Sequence, residues 1–451
     1  MSESTDRLQK NLEELQRLLG SGDVDVLLGW VDRLHASDLA DVIEHLEEDA
    51  DRLRLLDLLP AELASDALSE MEDEEDASAL LARMEPDRIA ELVDELSDDD
   101  AADLIGELEP HEQERVLDVV DDPAEIRELL EYPEESAGGI MTRELVAVRV
   151  AANAGEAMAQ LRQAAAEGVD FYTIFVVDPA RRLVGVATLQ ALALADPSTP
   201  LAEMIEEPSA VVPVDMDQEE VGRILSRYNL ASIGVVDERG RLVGRITFDD
   251  VIDVVEAETT EDILRLASVS DEERLRGSTA GAIKSRLPWL TVNLVTLSMA
   301  AVVVWLYRET IEQAAVLAAI MPVIAGLGGN AGTQALAVTI RRIALADETM
   351  AERWSAVWKE LVVGMINGFV LGLMVAAIAT ILPDAQPRLG LVVMIAMWGN
   401  LVVATTLGAF VPIVLDRVGA DPAVASSVFV TTFTDLFGFL LLLGLASELL
   451  L

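Results

Sequence analysis

The sequence predicts a multi-domain membrane protein in three parts: an all-α N-terminal helical superhelix, an α/β module built from two repeated units, and a transmembrane domain of five helices. Three observations predict it. Of the 451 residues, the first 283 hold 69 of the 80 acidic and 23 of the 32 basic side chains, so −46 of the formal −48 charge lies in that part. Beyond residue 283 the remaining charges only punctuate apolar runs of spanning length. Between acidic start and apolar end, two stretches align without gaps at an offset of 59 residues.

Residues 1–132 are read as the helical domain. Leu, Ile and Val recur at three- and four-residue spacing in DLADVIEHL, DRIAELVDEL and DDAADLIGELEP, the period of a helix with one apolar stripe. Asp and Glu open each stretch, where the helix dipole favours negative charge. Helices this short bury little alone, so they are expected to stack into a superhelical coil.

Residues 133–255 change period. IFVVDPARRLVGVATLQAL from Ile174 aligns with IGVVDERGRLVGRITFDDV from Ile233, each offering strand, turn, strand and helix, with DPARR and DERGR as the turns. The repeat and its β-β-α order resemble a tandem pair of CBS domains, whose units pack sheet to sheet about a pseudo-two-fold axis. Such pairs often hold an adenine nucleotide such as ATP through Thr or Ser followed three residues later by Asp. The second unit has this as Thr247 and Asp250, and the first has Thr188 with Ala191, so the resemblance implies one well-formed nucleotide cleft at most. A carboxylate at a helix N-terminus is the plain alternative for Asp250.

Residues 256–283 are read as a connecting helix and residues 284–451 as the transmembrane domain. Uncharged stretches run 287–307, 313–340, 361–383 and 389–415, and 422–447 is interrupted only by Asp435. About 20 apolar residues cross a hydrocarbon core about 30 Å thick, so five spans are expected. Lys284 and Arg286 precede the first span, and Arg341, Arg342, Arg353 and Lys359 lie between the second and third. Both sets face the cytosol only if the N-terminus does, which leaves Leu451 outside the cytoplasmic (inner) membrane. The opening MSESTDRLQKNLEELQ lacks an apolar core, so no cleaved signal peptide is expected. The absence of cysteine excludes disulfides and thiolate chemistry. His35, His45 and His111 show no metal-ligand spacing.

Two membrane motifs carry the functional reading. PVIAGLGGNAGTQALAVTIRR places Pro322, Gly326, Gly328, Gly329 and Gly332 in one span, where they either let helices approach closely or break the helix beside a cavity. VFVTTFTDLFGFLLLLGLA holds Asp435 mid-span. A carboxylate at that depth costs about 2.5–3.5 kcal/mol, which marks it as a binding group or as one end of an interhelical hydrogen bond.

An acidic helical domain, a CBS pair, a connecting helix and five spans containing GGNAG and TTFTDLFG resemble the MgtE family of magnesium channels along essentially the whole chain. The resemblance implies a homodimer in membrane lipid with a pore on its two-fold axis and Asp435 of each subunit at the selectivity site. Asn330 and Asn400 match polar positions of the family and are carried as secondary pore candidates. The chemistry agrees, because Mg2+ prefers oxygen ligands in octahedral array and keeps its waters. Backbone carbonyls around Thr431 and Gly438 are expected to help accept hydrogen bonds from those waters. The absence of thiolate or imidazole argues against a zinc or copper site. Ser426, Ser427 and Val428 stand where the family commonly has Asn-Pro or Gly-Pro, and Asn229 where an Asp is common.

From Thr247 the chain crowds Asp249, Asp250, Asp253, Glu256, Glu258, Glu261 and Asp262 onto helix faces at three- and four-residue spacing. Two carboxylates about 6 Å apart repel by about 2.8 kcal/mol at an effective dielectric near 20. Cytosolic Mg2+ bridging them is expected to hold the pore shut, with Asp94, Asp98, Asp217 and Glu219 as further ligands by position. Solubility or salt adaptation explains most of the other acidity, since Lys occurs only at 10, 284 and 359. Two other classes remain: a transporter in which Asp435 carries a proton, and a sensor of metal or nucleotide that moves no ion. No nucleophile with a paired base and no phosphate loop appears, so no enzyme is expected, and no nucleic-acid partner.

Overall fold

The computed structural model describes residues 2–46, 48–71, 74–120, 123–166, 168–169, 171–270, 279–345, 349–381, 388–419, 421–422 and 426–450. They form two compact units, Met1–Val255 and Glu256–Leu451.

The first unit opens with ten helices: α1 (Ser2–Ser21), α2 (Val24–Val31), α3 (Ala36–Glu44), α4 (Asp49–Leu58), α5 (Ala61–Ser69), α6 (Glu74–Ala82), α7 (Pro86–Val93), α8 (Asp98–Gly106), α9 (Pro110–Leu117) and α10 (Pro123–Leu129). Local chemistry sets their starts. Asp23 and Ser97 accept from backbone N–H groups of the first turns of α2 and α8, and Pro86 and Pro110 begin α7 and α9. The apolar stripes meet in one core around Leu15, Leu27, Ile43, Leu55, Leu56, Ile89 and Leu92. The scarce arginines tie successive turns of the coil together. The Arg52 guanidinium donates to the carbonyls of Glu44 (2.8 Å) and Leu46 (2.9 Å), and that of Arg88 to Leu56 (2.7 Å) and Leu59 (2.6 Å). Arg115 does the same to Ala82. Each satisfies carbonyls that a helix end leaves without partners, with the charge sign its dipole favours.

The repeats follow. β1 (Ala147–Arg149), β2 (Ile174–Val177) and β3 (Leu183–Ala187) form one sheet with α11 (Ala154–Ala166) and α12 (Leu189–Leu194); β4 (Val211–Pro213), β5 (Ser232–Val236) and β6 (Leu242–Thr247) form the second, with α13 (Gln218–Tyr228) and α14 (Phe248–Leu266). In each sheet the first pair is parallel and the second antiparallel. The 59-residue offset holds at atomic detail. Asp178 accepts from the N–H groups of Ala180 and Arg182, and Asp237 from those of Arg239 and Arg241, closing the same turn. Arg182 bridges to Arg241, its own repeat equivalent, and Leu183 N donates to Gly240 O while Leu242 N donates to Arg181 O. Contact between equivalent positions puts the pseudo-two-fold axis between those strands, as the CBS resemblance implies.

The segment joining helical domain to repeats is stitched into the second repeat. Ala137 N and Gly138 N donate to the carbonyls of Met216 (2.7 Å) and Val214 (2.8 Å), and Thr142 pairs with Arg245 in both directions at 2.9 Å. A side chain at Gly139 would collide with the Glu134 carbonyl, so only glycine fits that turn.

The second unit contains the end of α14, then α15 (Thr279–Leu306), α16 (Arg308–Gln313), α17 (Val316–Leu345), α18 (Met350–Ile381), α19 (Leu389–Arg417) and α20 (Ser426–Leu449). Five of these are long and apolar enough to cross a membrane. They overrun the uncharged stretches: α18 takes in Arg353 and Lys359 at its first turns, because backbone hydrogen bonding and not hydropathy sets where a helix starts. α19 is the packing centre, in contact with α17, α18 and α20, and most of its buried residues lie along its whole length. The glycine-rich motif does not break α17, which runs unbroken from Val316 to Leu345. Its glycines give close approach instead: side chains at Gly328 and Gly332 would collide with Asn400 and Val430. Of the expected connecting helix, residues 271–278 lie outside the described residues.

Candidate functional site

The candidate chemistry lies in both units, around α20 and α19 in the second and around α8 and the start of α14 in the first. On α20, residues Ser427, Thr431 and Asp435 follow at four-residue spacing and so share one face. All three are partly exposed. Thr431 turns its hydroxyl back to the Ser427 carbonyl at 2.7 Å, and Thr432 and Thr434 bond to Val428 O (2.6 Å) and Thr431 O (2.9 Å). The Asp435 carboxylate has no hydrogen-bond partner among the described residues, so it is not consumed by an interhelical bond. Because α20 is continuous, the carbonyls of Thr431 and Gly438 lie inside its hydrogen-bond ladder. The carboxylate and nearby hydroxyls are the side-chain oxygens on this face, and α20 carbonyls such as Thr431 O still accept a second hydrogen bond.

Asn400 is placed differently. It is fully buried on α19, and its Nδ2 donates to the Ile324 carbonyl of α17 at 3.1 Å. Added side chains at Gly328 of α17 and Gly438 of α20 would both strike its amide. The two glycines thus form the slot in which one amide joins three helices. Its Oδ1 has no partner among the described residues. Asn330 is exposed on α17 beside exposed Thr333 and Gln334.

The connecting segment meets α20 at the foot of the same polar face. Ser268 Oγ lies 2.7 Å from Ser427 Oγ, two turns before Asp435. Arg265 pairs with both Glu261 and Asp421, and Leu266 packs against Leu336 and Ile340 of α17. Glu258, Glu261 and Asp262 are partly buried here. Burial raises the Asp262 carboxyl, with Asp421 adding repulsion and Arg265 and Arg341 opposing. Val428, next to Ser427, is buried.

In the other unit the structure gathers acids around the start of α8. Asp98 accepts from Thr142 Oγ1 (2.6 Å) and Arg143 N (3.0 Å). Burial pushes Asp99 up to about 7 against a Ser97 hydrogen bond, with Asp100, Asp250 and Asp98 adding repulsion; its Oδ1 has no partner among the described residues. Asp100 is raised by burial and by Asp250, and Glu144 by burial and by Asp98. The structure thus brings Asp98 and Asp250 into one electrostatic group. It leaves Asp94 at the C-cap of α7, Asp217 as N-cap of α13 accepting from Glu219 N at 3.0 Å, and Asp253 on the exposed side of α14. Among the described residues no three acidic or histidine side chains converge as a metal site.

Thr247 and Asp250 meet directly. Asp250 Oδ2 accepts from Thr247 N (3.0 Å) and Thr247 Oγ1 (2.6 Å), so the carboxylate in the first turn of α14 holds the residue just before the helix. In the first repeat Thr188 Oγ1 accepts from Ala191 N. The sequence reading does not name Asp99, Asp100, Glu144, Arg265 or Asp421. Ser97 ahead of three aspartates is an N-cap signal that points to the first two, and the four-residue step from Glu261 to Arg265 is an ion-pair signal. Nothing local connects Asp421 to Arg265, which are 156 residues apart.

Comparison with known proteins finds relatives along the whole chain. Residues 321–445 match the MgtE divalent cation transporter family, residues 34–135 the MgtE intracellular N domain, and residues 137–198 and 199–257 each a CBS domain. The magnesium transporter MgtE of Thermus thermophilus is 36% identical over 452 residues, covering 98% of this chain and 99% of its own length. That of Enterococcus faecalis is 36% identical over 328 residues, 72% of each chain, and that of Bacillus subtilis 29% identical over 445 residues, 95% of each. The crystal structure of the cytosolic domain of the Mg2+ channel MgtE in complex with ATP is 38% identical with a TM-score of 0.51, covering 54% of this chain and 99% of that one. The soluble part of a magnesium transporter is 29% identical with a TM-score of 0.51, covering 56% and 99%.

Proposed function

Because this chain belongs to the MgtE family of magnesium transporters, we propose that it carries Mg2+ as substrate across the cytoplasmic membrane as a homodimer, through a pore lined by Asp435 of each subunit. The observation that carries the reading is the state of Asp435: a carboxylate inside a spanning helix, partly exposed and without a partner among the described residues. An unbonded charge at that depth is costly unless water or an ion reaches it. Two such carboxylates suit a hydrated Mg2+, which is held through its waters by few acidic oxygens. The flanking Arg and Lys set the orientation, with the N-terminus cytosolic and the C-terminus outside.

Gating follows from the acids. When cytosolic Mg2+ is abundant it bridges carboxylates of the helical domain, the second repeat and the connecting segment, and the contact of Ser268 with Ser427 stays closed over the polar face of α20. When Mg2+ is scarce, repulsion among Asp98, Asp99, Asp100 and Asp250 loosens the arrangement. Asp94, Asp217, Glu219, Asp253, Glu258, Glu261 and Asp262 are the further candidate ligands. ATP binds the second repeat beside Thr247 and Asp250, as the ATP complex of the solved cytosolic domain supports.

The test is flux of Mg2+ into liposomes holding the purified chain. Wild type should conduct, less as lumenal-equivalent cytosolic Mg2+ rises, and Asp435→Ala should not conduct while still purifying as a folded dimer. Undiminished flux in Asp435→Ala moves the site elsewhere. Flux that follows a pH gradient makes the protein a proton-coupled transporter, and no divalent flux in wild type makes it a sensor.

A further inference from the structure

One turn before Asp435, on the same face of α20, stands Thr431. It differs from its threonine neighbours in exposure: Thr432 and Thr434 are buried, and Thr431 is partly exposed. A hydroxyl has one proton to give and two lone pairs to offer. The Thr431 proton is committed to the helix, since Oγ1 lies 2.7 Å from the Ser427 carbonyl oxygen and 3.2 Å from that of Val428. A side chain added at Gly329 of α17 would meet Thr431 Cγ2 at 3.7 Å, so the methyl is turned to α17 and the β-branched side chain is held in this rotamer. Thr431 Oγ1 therefore faces its surroundings as an acceptor and not as a donor.

The backbone at this level is already engaged. A carbonyl oxygen has two lone pairs. One of those on Thr431 O belongs to the helical ladder of α20, and Thr434 Oγ1 fills the other at 2.9 Å. The Ser427 and Val428 carbonyls are filled in the same way, by Thr431 Oγ1 (2.7 Å) and Thr432 Oγ1 (2.6 Å). With these three carbonyls occupied, the turn that leads to Asp435 offers side-chain oxygens. Mg2+ keeps its waters, and a water bound through its oxygen turns its hydrogens outward. A wall that meets this coat has to accept hydrogen bonds.

We propose that the Thr431 hydroxyl, and not its carbonyl, accepts a hydrogen bond from the water coat of the Mg2+ held at Asp435, which makes Thr431 a specificity-determining residue for ions that stay hydrated. The proposal rests on the reading of Asp435 as the pore carboxylate. An ion that sheds its waters to bind the carboxylate directly brings no such hydrogen to Thr431 and gains nothing from it.

The experiment is divalent flux into liposomes holding the full chain, with and without cobalt(III) hexaammine, whose ammines point N–H groups outward and do not exchange. Thr431→Val keeps the β-branched shape against Gly329 and removes the acceptor. Per folded protein, its Mg2+ flux should fall about tenfold, and block by the hexaammine should need about tenfold more of it. The preference for Mg2+ over Ca2+ should narrow with them. Thr431→Ser, which restores a hydroxyl, should recover most of what Thr431→Val loses. Should Thr431→Val fail to fold, the smaller Thr431→Ala takes its place with the same expected losses. Flux and block equal to wild type in Thr431→Val overturn the proposal. So does a loss of flux with block unchanged, or a loss that Thr431→Ser fails to recover, since either assigns Thr431 a packing role against α17. Asp435→Asn separates this proposal from the reading beneath it. If it abolishes flux and Thr431→Val does not reduce it, the pore carboxylate stands and the hydroxyl acceptor falls; if Asp435→Asn conducts like wild type, both fall.

Discussion

Asn400 and Asp435 are two polar side chains deep in one membrane unit, and they handle that depth in opposite ways. Asn400 is sealed: a glycine on each side admits its amide, and its Nδ2 closes on the Ile324 carbonyl. Asp435 carries a carboxyl group that is partly open and unbonded among the described residues. Polarity within a span therefore does not by itself mark a pore. An uncharged amide with a bond to its neighbour holds helices together, while a charge left without one needs water or an ion to be tolerated.

The contrast can be broken most directly at Asp435. Asp435→Asn keeps the shape and removes the charge, and Mg2+ flux per folded protein should fall by about two orders of magnitude or more if hydrated Mg2+ is held by charge. Gly328→Val tests the slot around Asn400. Its side chain would strike the amide, so the detergent-solubilised protein should lose about 1–3 kcal/mol, read as a lower thermal midpoint. Asn400→Ala sharpens the comparison: stability should fall by about 1–2 kcal/mol from the lost bond and the void, with flux per folded protein kept. If stability holds and flux collapses, Asn400 lines the pore after all.

Asp99 extends the comparison to the other unit. It too is a buried oxygen acid without a bond at Oδ1, and it lowers the penalty by keeping a proton up to about pH 7. Its folded value lies above its unfolded value of 3.8, so its favourable contribution is complete below the unfolded value and is lost as pH rises through about 7. Between about pH 6 and 8, wild type should lose about 1 kcal/mol relative to Asp99→Asn, measured by denaturant unfolding of the Mg2+-free protein.

Much of this was legible along the chain because it depends on period and composition. The offset from Ile174 to Ile233 fixes equivalent turns at Asp178 and Asp237, since an Asp in that turn bonds its own backbone. The carboxylate of Asp435 is visible because one charge in an apolar run has few structural uses. The role of the glycine motif was not legible: Gly328 could break a helix or admit a neighbour, and only α19 lying against it with Asn400 selects the second. Arg265 and Asp421, 156 residues apart, have no local pattern that pairs them.

The sequence by itself determined the five spans, the doubled α/β unit, the acidic helical start and the singular intramembrane carboxylate. Each follows from interactions within a few residues: apolar length, two- or three-to-four-residue periodicity, turn chemistry and charge count. Tertiary structure alone decided which polar groups are satisfied. It closed Asn400 between two glycines, set Ser268 on Ser427 and buried Asp99. Desolvation and hydrogen bonding depend on which surfaces meet in space, and spacing along the chain does not encode that meeting.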